Sequence, residues 1–294
     1  MRRLICFPVE LTGTHSSDPN QIKAVAIIPA RYESSRLPGK ALLEIGGIPM
    51  ICCVARQASR AANVERVIVA TDDRRILSAV EANGFEAVLT SSDHASGTDR
   101  IAEVADKLDA EIIVNVQGDE PLIAPETIEQ AVAALVANPA VGIVTTWEPI
   151  AEPAEVLNPD LVKIVVDSGG RALYFSRAPV PWPRDAAGKF GTIDNALRQE
   201  PSLMHTFRKH TGLYVYRREV LMQFTKWPQS VLERQESLEQ LRAIEHDVKI
   251  MAIEATAPSI GVDTQDDLER VRKLVSRVPT FGIEGFVRGL NSST

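Results

Sequence analysis

The chain has 294 residues, 45% of them hydrophobic and 24% charged, with a net charge of -7. That length suits one large domain with appendages, and no apolar run approaches the roughly 18 residues that a membrane-spanning helix needs, which excludes a helical membrane protein. The acidic balance argues against general nucleic-acid binding, because backbone affinity requires clustered cations, so any anionic ligand must meet a local basic pocket.

The first residues, MRR followed by LICFPVEL, are broken by Pro8 and Glu10 and lack both a sustained apolar core and a small-residue cleavage site. Residues 1–23 are therefore expected to be a poorly ordered extension rather than an export signal. Cys6 and the adjacent pair Cys52 and Cys53 do not have zinc-ligand spacing and read as ordinary thiols of a reducing cytoplasm.

From Ala24 the pattern alternates strand-like apolar runs with amphipathic helical ones, the signature of an α/β layer fold. The segment AVAIIPARYESSRLPGK, Ala24 to Lys40, is a buried strand stopping at Pro29 and a polar loop carrying Arg31, Arg36 and Lys40 around a Pro38-Gly39 turn. Ligands of open α/β sheets bind beyond the carboxyl ends of strands, so three cations there point to an anion, most simply a nucleotide's phosphates. The alternative is a solvated basic loop.

A helix is expected from Pro49 to about Ala62, then a strand from Arg66 to Thr71 whose following Asp72 and Asp73 are placed to cap a helix ending at Gly84. A short strand from Ala87 to Thr90 leads into the loop SSDHASGTDR and the helix IAEVADKL. The segment IIVNVQGDEP, Ile112 to Pro121, reads as a buried strand whose end bears Gln117, Asp119 and Glu120, followed by a helix over about 125–137 and the strand VGIVTTW. Residues 148–160 and 178–209 read as long connections, and strands near Leu161–Asp167, Ala172–Ser176 and Gly212–Tyr216 suggest an insertion beside the main sheet. A helix around Ser237–Glu245, a strand from Val248 to Ala255, the loop GVDT and a helix from Gln265 to about Val278 close the pattern, with a glycine-containing tail over 279–294.

An acidic side chain at the end of a buried strand needs compensation, which for Asp119 a divalent metal can supply. Asp263 of GVDT is the candidate second carboxylate, since Mg²⁺ commonly takes only one or two from protein; both aspartates can also be read as caps of helices or turns. Glu120, followed by Pro121, reads as solvated. Neither a G-x-G-x-x-G fingerprint nor a Walker A pattern is present, which disfavours dinucleotide oxidoreductases and P-loop ATPases.

The motifs IIPARYESSRLPGK, ATDD, SGTDR, VNVQGDEP, LYFSR, HTGLYVY, LEQLR and GVDT, in this order between residues 24 and 278, resemble the 3-deoxy-manno-octulosonate (KDO) cytidylyltransferases. The resemblance implies a nucleotide-diphospho-sugar transferase-like, Rossmann-like α/β fold with a mixed, mainly parallel sheet, and a cytidylyltransferase domain over 24–278. A smaller β-rich dimerisation insertion would lie at about 150–210. The implied reaction joins CMP from CTP to the anomeric hydroxyl of KDO with release of pyrophosphate, with Mg²⁺ as cofactor, in a cytoplasmic homodimer that supplies lipopolysaccharide biosynthesis. By the same resemblance Ala30, Arg31, Arg36, Lys40, Arg100 and Gln117 hold CTP, and Arg177, His210, Tyr214 and Gln240 hold the acid sugar. Asp119 and Asp263 bind Mg²⁺, and Lys40, Asp119 and Asp263 form the catalytic set. Arg177 and His210 are expected to act as local cations that offset repulsion between the two anionic substrates. His210 and Tyr214 can also be read as core residues, and Gln240 as a surface helix position. Alternatives to the implied function are a cytidylyltransferase for a related acid sugar such as 8-amino-KDO and a catalytically silent nucleotide-binding protein of the same fold. Gln265 stands where the family often has proline.

Overall fold

The structure is a computed structural model and describes residues 24–34 and 36–276; the expectations for the segment through Lys23 and for the tail from Pro279 lie outside the described residues. In chain order it comprises β1 (Ala24–Ala30), a 3-10 turn at Lys40–Leu42, β2 (Glu44–Ile45), β3 (Ile48–Pro49), α1 (Met50–Ala58), β4 (Val64–Thr71), α2 (Arg74–Ala82), β5 (Glu86–Leu89) and α3 (Gly97–Asp106). There follow β6 (Ile112–Asn115), α4 (Pro125–Ala137), β7 (Ile143–Pro149), α5 (Pro153–Leu157), β8 (Lys163–Val166), β9 (Ala172–Ser176), α6 (Arg184–Phe190) and α7 (Ile193–Gln199). The last elements are a 3-10 turn at Pro201–Thr206, β10 (Arg208–Arg217), α8 (Arg218–Phe224), α9 (Val231–Glu236), α10 (Gln240–Glu245), β11 (Ile250–Glu254) and α11 (Gln265–Ser276).

β1 is apolar at every position because it is covered on both faces, as strands of parallel sheets are. Ala24, Ala26, Ile28 and Ala30 pack with α1, α2 and α4, while Val25 and Ile27 pack with α3, α8 and α10. Ile27 and Ile28 are fully buried, which stabilises the strand by roughly 1.5–3 kcal/mol each. The main sheet runs β11-β7-β10-β6-β1-β4-β5. All neighbours along it are parallel except β10, which is antiparallel to both β6 and β7.

β10 therefore does not belong to an insertion beside the sheet. It is ten residues long, starts at Arg208 rather than Gly212, and fills the gap between β6 and β7. β8 and β9 lie off the main path as an antiparallel hairpin joined to β10 through the pair Lys209 and Lys163, and β2 and β3 form a separate two-stranded sheet. Much of 178–209 is helical, and α5 and α7 pack their Val156, Ile193 and Leu197 with Ile150 and Phe207 in a small separate core.

Of the two aspartates placed to cap α2, Asp73 does so, whereas Asp72 pairs with Arg100; the cap of α3 is one that the sequence reading did not include. The Asp73 carboxylate accepts from the Arg75 N–H at 2.8 Å at the start of α2, and Ser96 and Asp99 form a reciprocal capping box at α3. α3 thus begins at Gly97, inside the stretch read as loop. α8 and α9 are short helices that the sequence reading did not include.

Candidate active site

Lys40 is placed by its turn. The Lys40 N–H donates to the Leu37 carbonyl at 3.1 Å, with Pro38 and Gly39 at the two central positions and Gly39 at φ 66, the requirement of a type II turn. The Gly39 N–H donates to the Tyr32 carbonyl at 3.2 Å and closes the loop on itself. Beneath it, Leu37, Ile45, Met50, Cys53 and Leu122 form a small core with Val262, Leu268 and Val271. That core docks α11 and the segment before it beside the loop, and the Val262 N–H donates to the Asp119 carbonyl at 2.9 Å.

Three distant parts of the chain meet as a result. The Lys40 Nζ donates to Asp119 Oδ2 at 2.7 Å and to Asp263 Oδ1 at 3.1 Å, and Arg36 reaches Asp263 Oδ2 at 3.1 Å. Burial pulls the Lys40 ammonium down, but the Asp119 and Asp263 carboxylates outweigh it and the pKa is raised. Lys40 is a fixed cation. The two aspartates offer hard oxygen donors facing one positive charge, and among the described residues no group of three or more His, Cys, Asp or Glu gathers as a metal cage. That donor set fits Mg²⁺, which takes few protein carboxylates, and not Zn²⁺.

The remaining nucleotide-side residues divide. Ala30 is buried as the last residue of β1, beside Thr71 of β4. Arg31 is exposed and donates to the His94 carbonyl at 3.4 Å, leaving its guanidinium at the rim. Gln117 Nε2 donates to Asn115 Oδ1 and to the Gly212 carbonyl, both at 3.2 Å, so the β6 end is tied to β10. Arg100 is fully buried and donates to Asp72 Oδ2 at 2.7 Å and to the Thr90 hydroxyl. It joins the ends of β4 and β5, and its buried Nε has no partner among the described residues.

Of the four residues assigned to the sugar, His210 and Tyr214 meet on β10, whereas Arg177 follows β9 and Gln240 begins α10. The His210 ring meets Phe175 edge-on at 5.0 Å and Tyr214 at 5.3 Å, and Tyr214 stacks on Tyr216 at 5.8 Å. Burial pushes His210 down to about 3, and burial with the neighbouring Tyr216 holds the Tyr214 phenol well above its ordinary value. His210 is thus a neutral hydrogen-bonding group. The expectation that it acts as a cation is corrected, and Arg177 alone carries positive charge among these four.

Arg177 is held by carbonyls: its Nε donates to the Glu236 carbonyl at 2.8 Å and its guanidinium to the Pro159 carbonyl at 3.0 Å. The Glu236 carboxylate accepts from the Arg177 N–H at 2.9 Å and the Ser176 hydroxyl at 2.7 Å. Gln240 is only 6% exposed, so it is not a surface position. It begins α10 and lines a cleft of about 810 Å³ with Ser96, Asp99, Glu239 and Arg242. Arg242 forms a two-pronged pair with Glu233 that ties α10 to α9; removing one partner of such a buried pair costs about 3–5 kcal/mol.

Two functional candidates escape the sequence reading. Glu239 accepts from the Thr98 hydroxyl at 2.7 Å through Oε1, while its buried Oε2 has no partner among the described residues. A carboxylate oxygen left so beside a cleft is open to a ligand donor. Glu120 is 8% exposed rather than solvated, accepts from the Ser259 hydroxyl at 2.9 Å, and is pushed up to about 7 by burial and the neighbouring Asp119. Its adjacency to Pro121 masked this, since the turn after β6 folds inward against Gly212.

A mainly parallel α/β sheet, with a basic loop and two carboxylates beyond its strand ends and a second polar cleft alongside, defines a nucleotidyltransferase of an acceptor substrate. The family model described as "Cytidylyltransferase" matches residues 25–250. The 3-deoxy-manno-octulosonate cytidylyltransferase of Geobacter sulfurreducens is 51% identical over 247 residues, covering 84% of this chain and 96% of that one. The protein so named from Trichlorobacter lovleyi is 48% identical over 252 residues, covering 86% and 98%. A solved structure of CMP:2-keto-3-deoxy-manno-octonic acid synthetase complexed with CTP is similar, with 44% identity, a TM-score of 0.78, and coverage of 87% of this chain and 99% of that one. The chain belongs to the 3-deoxy-manno-octulosonate cytidylyltransferase family.

Proposed function

We infer that this chain is a cytidylyltransferase that transfers CMP from CTP to KDO, giving CMP-KDO and pyrophosphate. The observation that carries the reading is the meeting of Lys40, Asp119 and Asp263 beside the Arg31–Lys40 loop, in a chain of this family.

The reaction is an in-line displacement in which the anomeric hydroxyl of KDO attacks the α-phosphorus and the pyrophosphate oxygen departs. Positioning and charge neutralisation dominate such a transfer. Arg31, Arg36 and Lys40 would grip the triphosphate, with the arginines matching phosphate oxygens in pairs and Lys40 acting as a point charge. Gln117 would face the nucleotide from the end of β6, and Arg100, held by Asp72, would brace that side from behind. Asp119 and Asp263 would hold Mg²⁺, which when bound neutralises phosphoryl charge and makes a ligated hydroxyl more acidic.

On the acceptor side Arg177 would meet the sugar's carboxylate, and Tyr214, His210, Gln240 and Glu239 its hydroxyls. Neutral donors and acceptors beside a single cation, with the Glu239 carboxylate to accept from a hydroxyl, suit a polyhydroxylated monoanion. Among the described residues no helix is long and apolar enough to cross a membrane; the need for CTP supports a cytoplasmic location. Leu173 and Trp182, 47% and 58% exposed on and after the β9 edge, agree with a homodimer formed through the insertion.

Pyrophosphate release tests the reading. CTP with KDO is expected to give CMP-KDO in step with pyrophosphate, well above other nucleotides or other acid sugars. Preference for a different nucleotide, or for a different sugar such as 8-amino-KDO, would replace it.

A further inference from the structure

β10 does not pass β7 in even register. The pairing steps from Thr211 opposite Thr146 to Tyr214 opposite Thr145, so Gly212 and Leu213 bulge from the strand. The Thr145 hydroxyl, fully buried, donates to the Leu213 carbonyl at 2.8 Å. Leu213 is 1% exposed, and a carbonyl can only accept, so the single proton of that hydroxyl is committed.

The Nε2 of His210 lies 2.9 Å from the same oxygen. With its proton directed at Leu213, Thr145 Oγ1 can only accept from the ring, so Nε2 must carry the hydrogen. A neutral imidazole has one N–H, which leaves Nδ1 as a bare lone pair. Burial favours the neutral ring, and among the described residues its one side-chain hydrogen bond is that of Nε2 with Thr145.

We propose that Thr145 is a positioning residue that fixes His210 as its Nε2–H tautomer, so that the ring meets the acid sugar as a hydrogen-bond acceptor and requires a hydroxyl donor there. The proposal rests on His210 being a sugar contact. Thr145 touches neither substrate; it acts through the imidazole, and the bulge at Gly212–Leu213 supplies the carbonyl that orients its hydroxyl.

The test is nitrogen-15 NMR of the full chain labelled at histidine, read by long-range proton–nitrogen correlation, with the His210 signals assigned by their loss in His210→Gln. The expected result is a protonated Nε2 and a pyridine-type Nδ1 in the unmodified protein. In Thr145→Val a second tautomer appears, and the KM for KDO rises about five- to tenfold while the KM for CTP stays within about twofold, the size of one lost hydrogen bond. Thr145→Ser, which keeps the hydroxyl, restores both readouts. A protonated Nδ1 in the unmodified protein, or an unchanged tautomer in Thr145→Val, overturns the proposal. A raised sugar KM in His210→Gln together with an unmoved one in Thr145→Val overturns the role of Thr145 alone, whereas an unmoved sugar KM in His210→Gln overturns the sugar-contact reading itself.

Discussion

Lys40 and Asp263 are 223 residues apart in the chain, and their side chains meet at 3.1 Å. The contact exists because Val262, Leu268 and Val271 share one small core with Leu37 and Met50. A hydrophobic contact between the two ends of the fold thus brings the loop's cation to the carboxylates.

That arrangement makes the core under the loop a determinant of activity. Leu268→Ala should destabilise the protein by about 2–5 kcal/mol, as large-to-small changes at fully buried sites do. It should also loosen Asp263 relative to Lys40. Thermal melts and turnover at raised Mg²⁺ check this: the variant is expected to need more Mg²⁺ for half-maximal rate than the unmodified enzyme.

Arg177 has a different partner set, Glu236 and the Pro159 carbonyl. Arg177→Ala is expected to raise the KM for KDO by at least tenfold, the loss of one charged hydrogen bond of about 1.5–3 kcal/mol, with the KM for CTP nearly unchanged. Steady-state kinetics with each substrate varied in turn make the measurement. Equal losses for both substrates would refute the division of roles.

Gly212 is required by close approach. A Cβ there would stand 2.5 Å from Gln117 Cγ and 3.0 Å from Glu120 Oε1. Gly212→Ala should cost about 1–3 kcal/mol as an overpacking change and displace Gln117, raising the KM for CTP. A thermal melt with CTP kinetics reads both effects.

His210 sets a pH dependence of stability. Its folded pKa of about 3 lies below the ordinary value of 6.5, so between these the unfolded chain binds the extra proton and stability rises with pH. The contribution is fully present above the ordinary value and is lost as pH falls toward 3. Denaturant melts from about pH 4 to 7 should show a shallower pH slope in His210→Gln than in the unmodified protein. Parallel slopes would contradict the burial of a neutral ring.

Much of this was legible in the sequence, for identifiable reasons. The Ala24–Lys40 strand and loop, the Asp73 cap and the Pro125 helix start are local signals, written in residues close together. The place of β10 was not legible, because its antiparallel pairing with β6 and β7 is decided by partners far away in the chain. Glu120 was misread for the same cause: burial of a charge depends on what folds over it, here Ser259 and Gly212, and the burial of Arg100 with Asp72 and Thr90 was not legible for that reason either. The cationic reading of His210 runs against the rings of Phe175 and Tyr214 that pack on its imidazole and disfavour a charged form.

The central claim is that Asp119 and Asp263, drawn together around Lys40, are the carboxylates on which nucleotidyl transfer depends. Turnover of Asp119→Asn and Asp263→Asn at saturating CTP, KDO and Mg²⁺, with melts confirming folded protein, tests it most directly. Loss of at least about a hundredfold in kcat is expected in each, the scale of removing a group that stabilises transition-state charge. Near-normal turnover in either folded variant would contradict the account.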